Sequence, residues 1–176
     1  MRYPSVVVIV LRKNECRWEV LFLKKSEKNR WHPGEVCFPG GRIEEDENMN
    51  EAVLREFEEE VGVDSSHIEI IASLDPIETV STPFVIYPLV ATTRKNFEPK
   101  VDGSEIEEAF WVPLDVIRDY PFDERIYHYK GLDFNTYIIE WDGKIIWGAT
   151  ARILKNFVEK LKELPLDKGT ECDNNL

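Results

Sequence analysis

Residues 41–63 read GRIEEDENMNEAVLREFEEEVGV, and the middle of that stretch is the best-defined local element in the chain. Asn48 is a good helix N-cap and Glu51, three residues on, stands where a capping-box acid belongs. Gly62 is the expected stop, so the pattern predicts a helix over 48–61. At about 100° per residue, Val53, Leu54, Phe57 and Val61 gather on one face and Glu56, Glu59 and Glu60 on another. The apolar stripe anchors the helix and the acidic one is presented outward.

Crowding three carboxylates at i, i+3 and i+4 is unfavourable by a few tenths of a kcal/mol per pair. One explanation is a solvated acidic face in a Glu-rich chain. The other is a hard divalent cation such as Mg²⁺, which binds through a few carboxylates together with water and phosphate oxygens. Ala52, one turn before Glu56, leaves that face unobstructed, and Arg55, four residues before Glu59, can orient a carboxylate from behind.

Working outward, Val6 to Leu11 is a short β-branched run that reads as a buried strand, with Trp18 to Lys24 as its hairpin partner. Ser26 to Gly34 is a charged loop, Val36 to Phe38 a short strand, and Pro39-Gly40-Gly41 turns the chain. Strands follow at Ile68 to Leu74, Phe84 to Thr92 and Ile106 to Val112, then a short helix after Pro113. Thr136 to Trp141 and Lys144 to Trp147 flank Asp142-Gly143 as a hairpin. A last helix runs from about Ala149 to Leu164, and Pro165 ends it. Strands mixed with helices without strict alternation indicate an α/β sandwich rather than a doubly wound sheet. The expected organisation is one domain over 1–164 with a disordered polar tail over 165–176.

With 176 residues and a formal charge of −12, the chain is sized for one core and is not a general nucleic-acid binder, which needs a basic surface. Against that background, residues 24–42 hold Lys24, Lys25, Lys28, Arg30 and Arg42 against only Glu27 and Glu35, which suits either a phosphate-bearing ligand or a solvated loop. No apolar stretch approaches the roughly 20 residues of a membrane span. The opening Met1-Arg2-Tyr3-Pro4 has no apolar run before a cleavage site, so the expected location is the cytoplasm. Cys16, Cys37 and Cys172 form no CxxC pair, and His32, His67 and His128 have no metal-ligand spacing. Trp31, Phe84, Tyr87 and Trp111 could stack on a base but, lying near strands, read as core.

Gly41, Glu47, Arg55-Glu56-Phe57, Glu59-Glu60 and Gly62-Val63, at these intervals, resemble the complete Nudix box of 23 residues. Phe57 replaces the more usual aliphatic residue and keeps the position apolar. The resemblance implies an α/β/α sandwich around a mixed sheet, and hydrolysis of a nucleoside diphosphate linked to a variable group, with Mg²⁺ or Mn²⁺ as cofactor. It makes Glu56, Glu59, Glu60 and the Gly41 carbonyl the metal ligands, and Glu56, Glu59, Arg55 and Glu47 the catalytic group. A second likeness covers Ser26, Arg30, Gly34 and Phe38-Pro39-Gly40-Gly41, spaced as in the coenzyme A pyrophosphatase branch, although Lys24-Lys25 departs from that branch at its front. Ile146-Trp147-Gly148-Ala149-Thr150-Ala151-Arg152 is similar to the start of the branch's C-terminal helix. By this likeness Arg30, Gly34, Gly40, Gly41 and Arg42 bind substrate, and the products from coenzyme A are 4′-phosphopantetheine and adenosine 3′,5′-bisphosphate.

The general base stays open among Glu56, Glu105, Glu107 and Glu108. Rival readings are a Nudix hydrolase for ADP-ribose, a dinucleotide or a nucleoside triphosphate, a non-catalytic nucleotide sensor on the same fold, and an acidic protein-interaction module. The expected partner is a small nucleotide-diphosphate molecule, without nucleic acid or membrane, and a homodimer is left open.

Overall fold

The computed structural model describes residues 1–166 of the 176. Its centre is a mixed sheet in which β1 (Tyr3–Asn14) pairs antiparallel with β2 (Arg17–Lys25) and parallel with β7 (Phe84–Thr93). The order β3-β2-β1-β7-β5 is completed by β3 (Val36–Cys37) and β5 (Ile68–Ser73). Three further strands join this path, β4 (Gly40–Arg42) on β1, β6 (Ile77–Glu78) on β7 and β8 (Ile106–Pro113) on β2.

Both faces of the sheet are covered, which is why Val6 to Leu11 is apolar without alternation. Val6, Val8 and Val10 share one core layer with Ala52, Val53, Phe57 and Val61 of α1 (Met49–Val61). Ile9 and Leu11 share the opposite layer with Ala151, Ile153, Leu154 and Phe157 of α3 (Gly148–Lys160). The architecture is therefore the α/β/α sandwich around a mixed sheet that the sequence implied. Along the chain between β8 and α3 come α2 (Leu114–Arg118), the hairpin of β9 (Glu124–Tyr129) with β10 (Leu132–Tyr137), and the hairpin of β11 (Ile139–Trp141) with β12 (Lys144–Ile146).

The ends of α1 follow the local chemistry. The Asn48 side chain accepts from Glu51 N–H and the Glu51 side chain from Asn48 N–H, a complete capping box. Gly62 ends the helix at φ 72°, and a Cβ there would also collide with the Lys100 carbonyl.

Three expectations change. The strand placed at 136–141 is divided between two hairpins, because Tyr137 completes β10 and Ile139 opens β11. The last α-helix closes at Lys160 and continues as a 3-10 turn over Leu161–Glu163. Leu166, placed in the tail, is 7% exposed and joins Leu161 and Leu164 in the α3-side core. The rest of the expected tail, 167–176, lies outside the described residues.

The capping box is testable by itself. Asn48→Ala should lower stability by about 1 kcal/mol, read as a reduced urea midpoint with unchanged slope.

Candidate active site

The acidic face of α1 meets a strand that has almost no side chains. Gly40 N–H donates to a Glu60 carboxylate oxygen at 3.0 Å. A Cβ at Gly41 would collide with the Glu56 carboxylate, its Cδ only 2.5 Å away. Gly40 is also locked from its other side, where a Cβ would strike the Val6 carbonyl and Val7 Cα. Glycine at position 40 is therefore a packing requirement set by backbone, whereas at 41 it leaves room for the Glu56 carboxylate to press against β4.

Burial sets the electrostatics. Glu60 is 7% exposed, and desolvation pushes its carboxyl up to about 8, against the opposing pull of the Gly40 N–H and the charge of Lys25. The charges of Glu56 and Glu105 push it further up. Glu56 is raised as well, chiefly by burial, while Arg55 counteracts. Arg55 grips Glu47 through both oxygens, Nε at 2.5 Å and a terminal nitrogen at 3.0 Å, and its other terminal nitrogen donates to Glu56 at 2.9 Å. That grip holds Glu47 below the usual carboxylate range and raises Arg55. Arg55 is thus wedged between Glu47 and the site, and also donates to the Arg42 carbonyl at 3.3 Å.

The three carboxylates do not share one environment. Glu60 turns under β4, Glu56 lies against Gly41, and Glu59, with its side chain 60% exposed, reaches into solvent at 3.5 Å from Arg55. Among the described residues no three acidic, histidine or cysteine side chains close into a tight cage. The expected convergence is accordingly looser than a cage, because the glycine backbone and Arg55 each draw one carboxylate aside. Such a donor set still fits Mg²⁺ or Mn²⁺, since magnesium keeps several waters and takes one or two carboxylates together with phosphate oxygens. The Gly41 carbonyl accepts from Ser5 Oγ at 2.7 Å, and Gly41 faces Val6 across the β1–β4 ladder.

Other expected positions fall differently. Ala52 is fully buried in the α1 core layer and does not line an open face. Gly34 adopts φ 69°, and the space beside it is filled by the Glu27 carboxylate rather than left for a ligand. The Arg42 guanidinium lies 4.6 Å from the Tyr3 ring centre. Arg30 is exposed and stacks 5.3 Å from the ring centre of Trp31, which at 73% exposure is not core. Of the alternative bases, Glu107 pairs with Lys24 at 3.4 Å and Glu108 with Lys144 at 3.2 Å, while Glu105 acts on both Glu56 and Glu60. The free thiol of Cys37 is pushed up to about 12 by burial, so it is no nucleophile.

The β9–β10 hairpin was missed as a neighbour of the site. Its Tyr127, Tyr129 and Phe134 pack around Trp147 at centroid distances of 4.6, 5.0 and 5.3 Å, and Tyr129 Oη donates to the Pro33 carbonyl at 3.4 Å. The sequence sign was Lys130-Gly131, both at positive φ, between two alternating runs.

A NUDIX domain model matches residues 1–130, and the chain belongs to the Nudix family. It is a Nudix hydrolase, an enzyme class acting on phosphorus-containing anhydrides. It is similar to the uncharacterized Nudix hydrolase NudL of Yersinia enterocolitica, 29% identical over 150 residues that cover 83% of this chain and 76% of the relative. A Nudix hydrolase from M. smegmatis, RenU, superposes with TM-score 0.66 at 15% identity, over 94% of this chain and 89% of that one. The NUDIX domain of Shewanella oneidensis NrtR, complexed with ADP ribose, superposes with TM-score 0.54 at 21% identity, over 69% and 79%. Among the described residues no helix is long and apolar enough to cross a membrane.

Glu60 yields a pH-dependent prediction. A carboxyl with its folded pKa raised from 4.5 to about 8 adds stability that is complete below pH 4.5 and lost as pH rises through 8. In chelator, the parent should therefore lose more stability between pH 5 and 8.5 than Glu60→Gln, measured by urea unfolding. Equal losses would remove the assigned burial effect.

Proposed function

We propose that the chain hydrolyses the diphosphate of a nucleoside-diphosphate-linked molecule, with coenzyme A or its derivatives as preferred substrate. The observation that carries the reaction is the pressing of Glu56 and Glu60 onto the bare backbone of Gly41 and Gly40. One buried and one half-buried carboxylate beside a third exposed one form an oxygen-rich acidic site that a polyanionic substrate meets only through a cation. The substrate choice is supported by the spacing of Ser26, Arg30, Gly34 and Phe38-Pro39-Gly40-Gly41, which continues directly into β4.

Glu56, Glu59, Glu60 and the Gly41 carbonyl would hold Mg²⁺ or Mn²⁺. Such an ion supplies a Lewis acid for the phosphate oxygens and lowers the pKa of bound water. Arg55 keeps Glu56 oriented while Glu47 holds Arg55 in place. Arg30 and Arg42, paired with aromatic rings rather than with carboxylates, bind the phosphates. Glu105 takes the proton of the attacking water, because Glu107 and Glu108 are held by lysines and Glu56 by Arg55. The water oxygen bonds to phosphorus as the anhydride P–O bond breaks, and the released phosphate leaves with that oxygen.

Coenzyme A, dephospho-coenzyme A, ADP-ribose, dinucleotides and nucleoside triphosphates should be tested with Mg²⁺ and Mn²⁺, with products identified by mass. The expected products are 4′-phosphopantetheine and adenosine 3′,5′-bisphosphate. Cleavage of ADP-ribose or a dinucleotide with coenzyme A untouched would overturn the substrate and keep the reaction. Glu60→Gln should lower turnover by roughly 10²-fold or more, on the scale of one lost electrostatic contact to the transition state. Glu105→Gln should lower kcat with KM retained, whereas Glu107→Gln should change neither, and near-normal kcat in Glu105→Gln would reassign the base.

A further inference from the structure

A cavity of about 500 Å³ opens where four parts of the fold meet, lined by Arg2, Glu78, Thr79, Thr136, Tyr137 and Arg152 among others. Arg2 precedes β1, Glu78 closes β6, Thr136 and Tyr137 end β10, and Arg152 stands in the second turn of α3. The pocket lies close to the carboxylate site. Ser5 of β1 pairs with Arg42 of β4 and hydrogen-bonds the Gly41 carbonyl, so Arg2 is only three residues, roughly 10 Å, along the same strand. A nucleoside bridges that span.

The charges of the cavity are unequally matched. Arg2 is consumed by the Glu78 carboxylate at 3.1 Å and the Thr79 carbonyl at 3.2 Å. Glu124, which also lines the cavity, accepts from the neutral Asn135 amide at 3.2 Å. Arg152 donates one terminal nitrogen to the Glu78 carbonyl at 2.9 Å, and no carboxylate pairs with it among the described residues. It is half-buried, and its position is fixed by a backbone group that cannot neutralise it. The guanidinium has five N–H donors, so a fork stays open toward the cavity. Thr136 and Tyr137 also line the cavity, and Thr136 Oγ1 accepts from Gly148 N–H at the start of α3 at 2.8 Å.

We infer that this cavity is the subsite for a second phosphate on the nucleoside, a ribose phosphomonoester, with Arg152 as its specificity-determining residue. The inference rests on the proposed substrate, because coenzyme A carries such a phosphate on its adenosine and ADP-ribose does not. Arg152 discriminates by charge, accepting the nucleoside 3′,5′-bisphosphate in preference to the monophosphate.

The test uses two probes that differ only in that group, adenosine 3′,5′-bisphosphate and AMP, titrated calorimetrically into the whole chain. The parent should bind the bisphosphate roughly tenfold or more tightly over AMP, the scale of one hydrogen bond to a charged group. Arg152→Gln should reduce that ratio to within about twofold, and Arg152→Lys should restore part of it. In turnover, Arg152→Gln should raise KM for coenzyme A with kcat kept and leave dephospho-coenzyme A unchanged. A parent without preference, or a variant that weakens both probes equally, overturns the inference, since a merely structural Arg152 would move both together. Failure of the parent to cleave coenzyme A refutes the proposed substrate independently, because the binding ratio still decides the subsite.

Discussion

A helix bearing one buried and one half-buried carboxylate is held against a strand stripped of side chains, and the rest of the site follows from that contact. Ionised carboxylates removed from water are strongly unfavourable unless paired or hydrogen-bonded. Here α1 has one N–H from Gly40 for Glu60, one guanidinium from Arg55 for Glu56, and the nearby charge of Lys25. These partners are too few to relax the site fully, as the upward shifts of both acids show. The helix stays in place because Val53, Phe57 and Val61 are completely buried one face away, with Phe57 packed edge-on to Phe97 at 5.7 Å. Hydrophobic anchoring on one stripe offsets electrostatic strain on another, and the cation of the proposed function would relieve that strain.

What was legible in the sequence is what local chemistry determines. Asn48, Glu51 and Gly62 mark the ends of α1 through contacts within a few residues, and the run Val6 to Leu11 reports a strand covered on both sides. Helical spacing placed Glu56, Glu59 and Glu60 on one face, yet a helical wheel gives relative angles and not the direction of the sheet. It therefore could not tell that Ala52 and Glu60 face inward while Glu59 faces water. Positions whose role depends on distant partners were also hidden. Gly34 is closed off by Glu27, and the hairpin around Trp147 is assembled from residues 127, 129 and 134 through cross-strand register. Leu166 was assigned to a polar tail because one leucine after a proline has no periodicity to identify it.

The distribution of cations follows the same logic at longer range. With a net charge of −12, the protein repels a polyanion unless positive groups are placed where the substrate lies. Many of its basic residues are spent on neighbours. Arg55 serves Glu47 and Glu56, Lys24 serves Glu107, and Lys144 serves Glu108. Arg30 and Arg42 are instead steadied by the faces of Trp31 and Tyr3, and Arg152 by a backbone carbonyl. An aromatic face or a carbonyl fixes a guanidinium without cancelling its charge, so all three keep donors for phosphate. Arg42 and Arg152 stand at the end of the sheet marked by the start of β1, by β4 and by the first turns of α3, the side on which Glu56 meets Gly41. Under the proposed function an acidic chain would in this way accept a substrate of its own sign: carboxylates would gather the metal, and arginines steadied by groups that leave their charge intact would meet the phosphates.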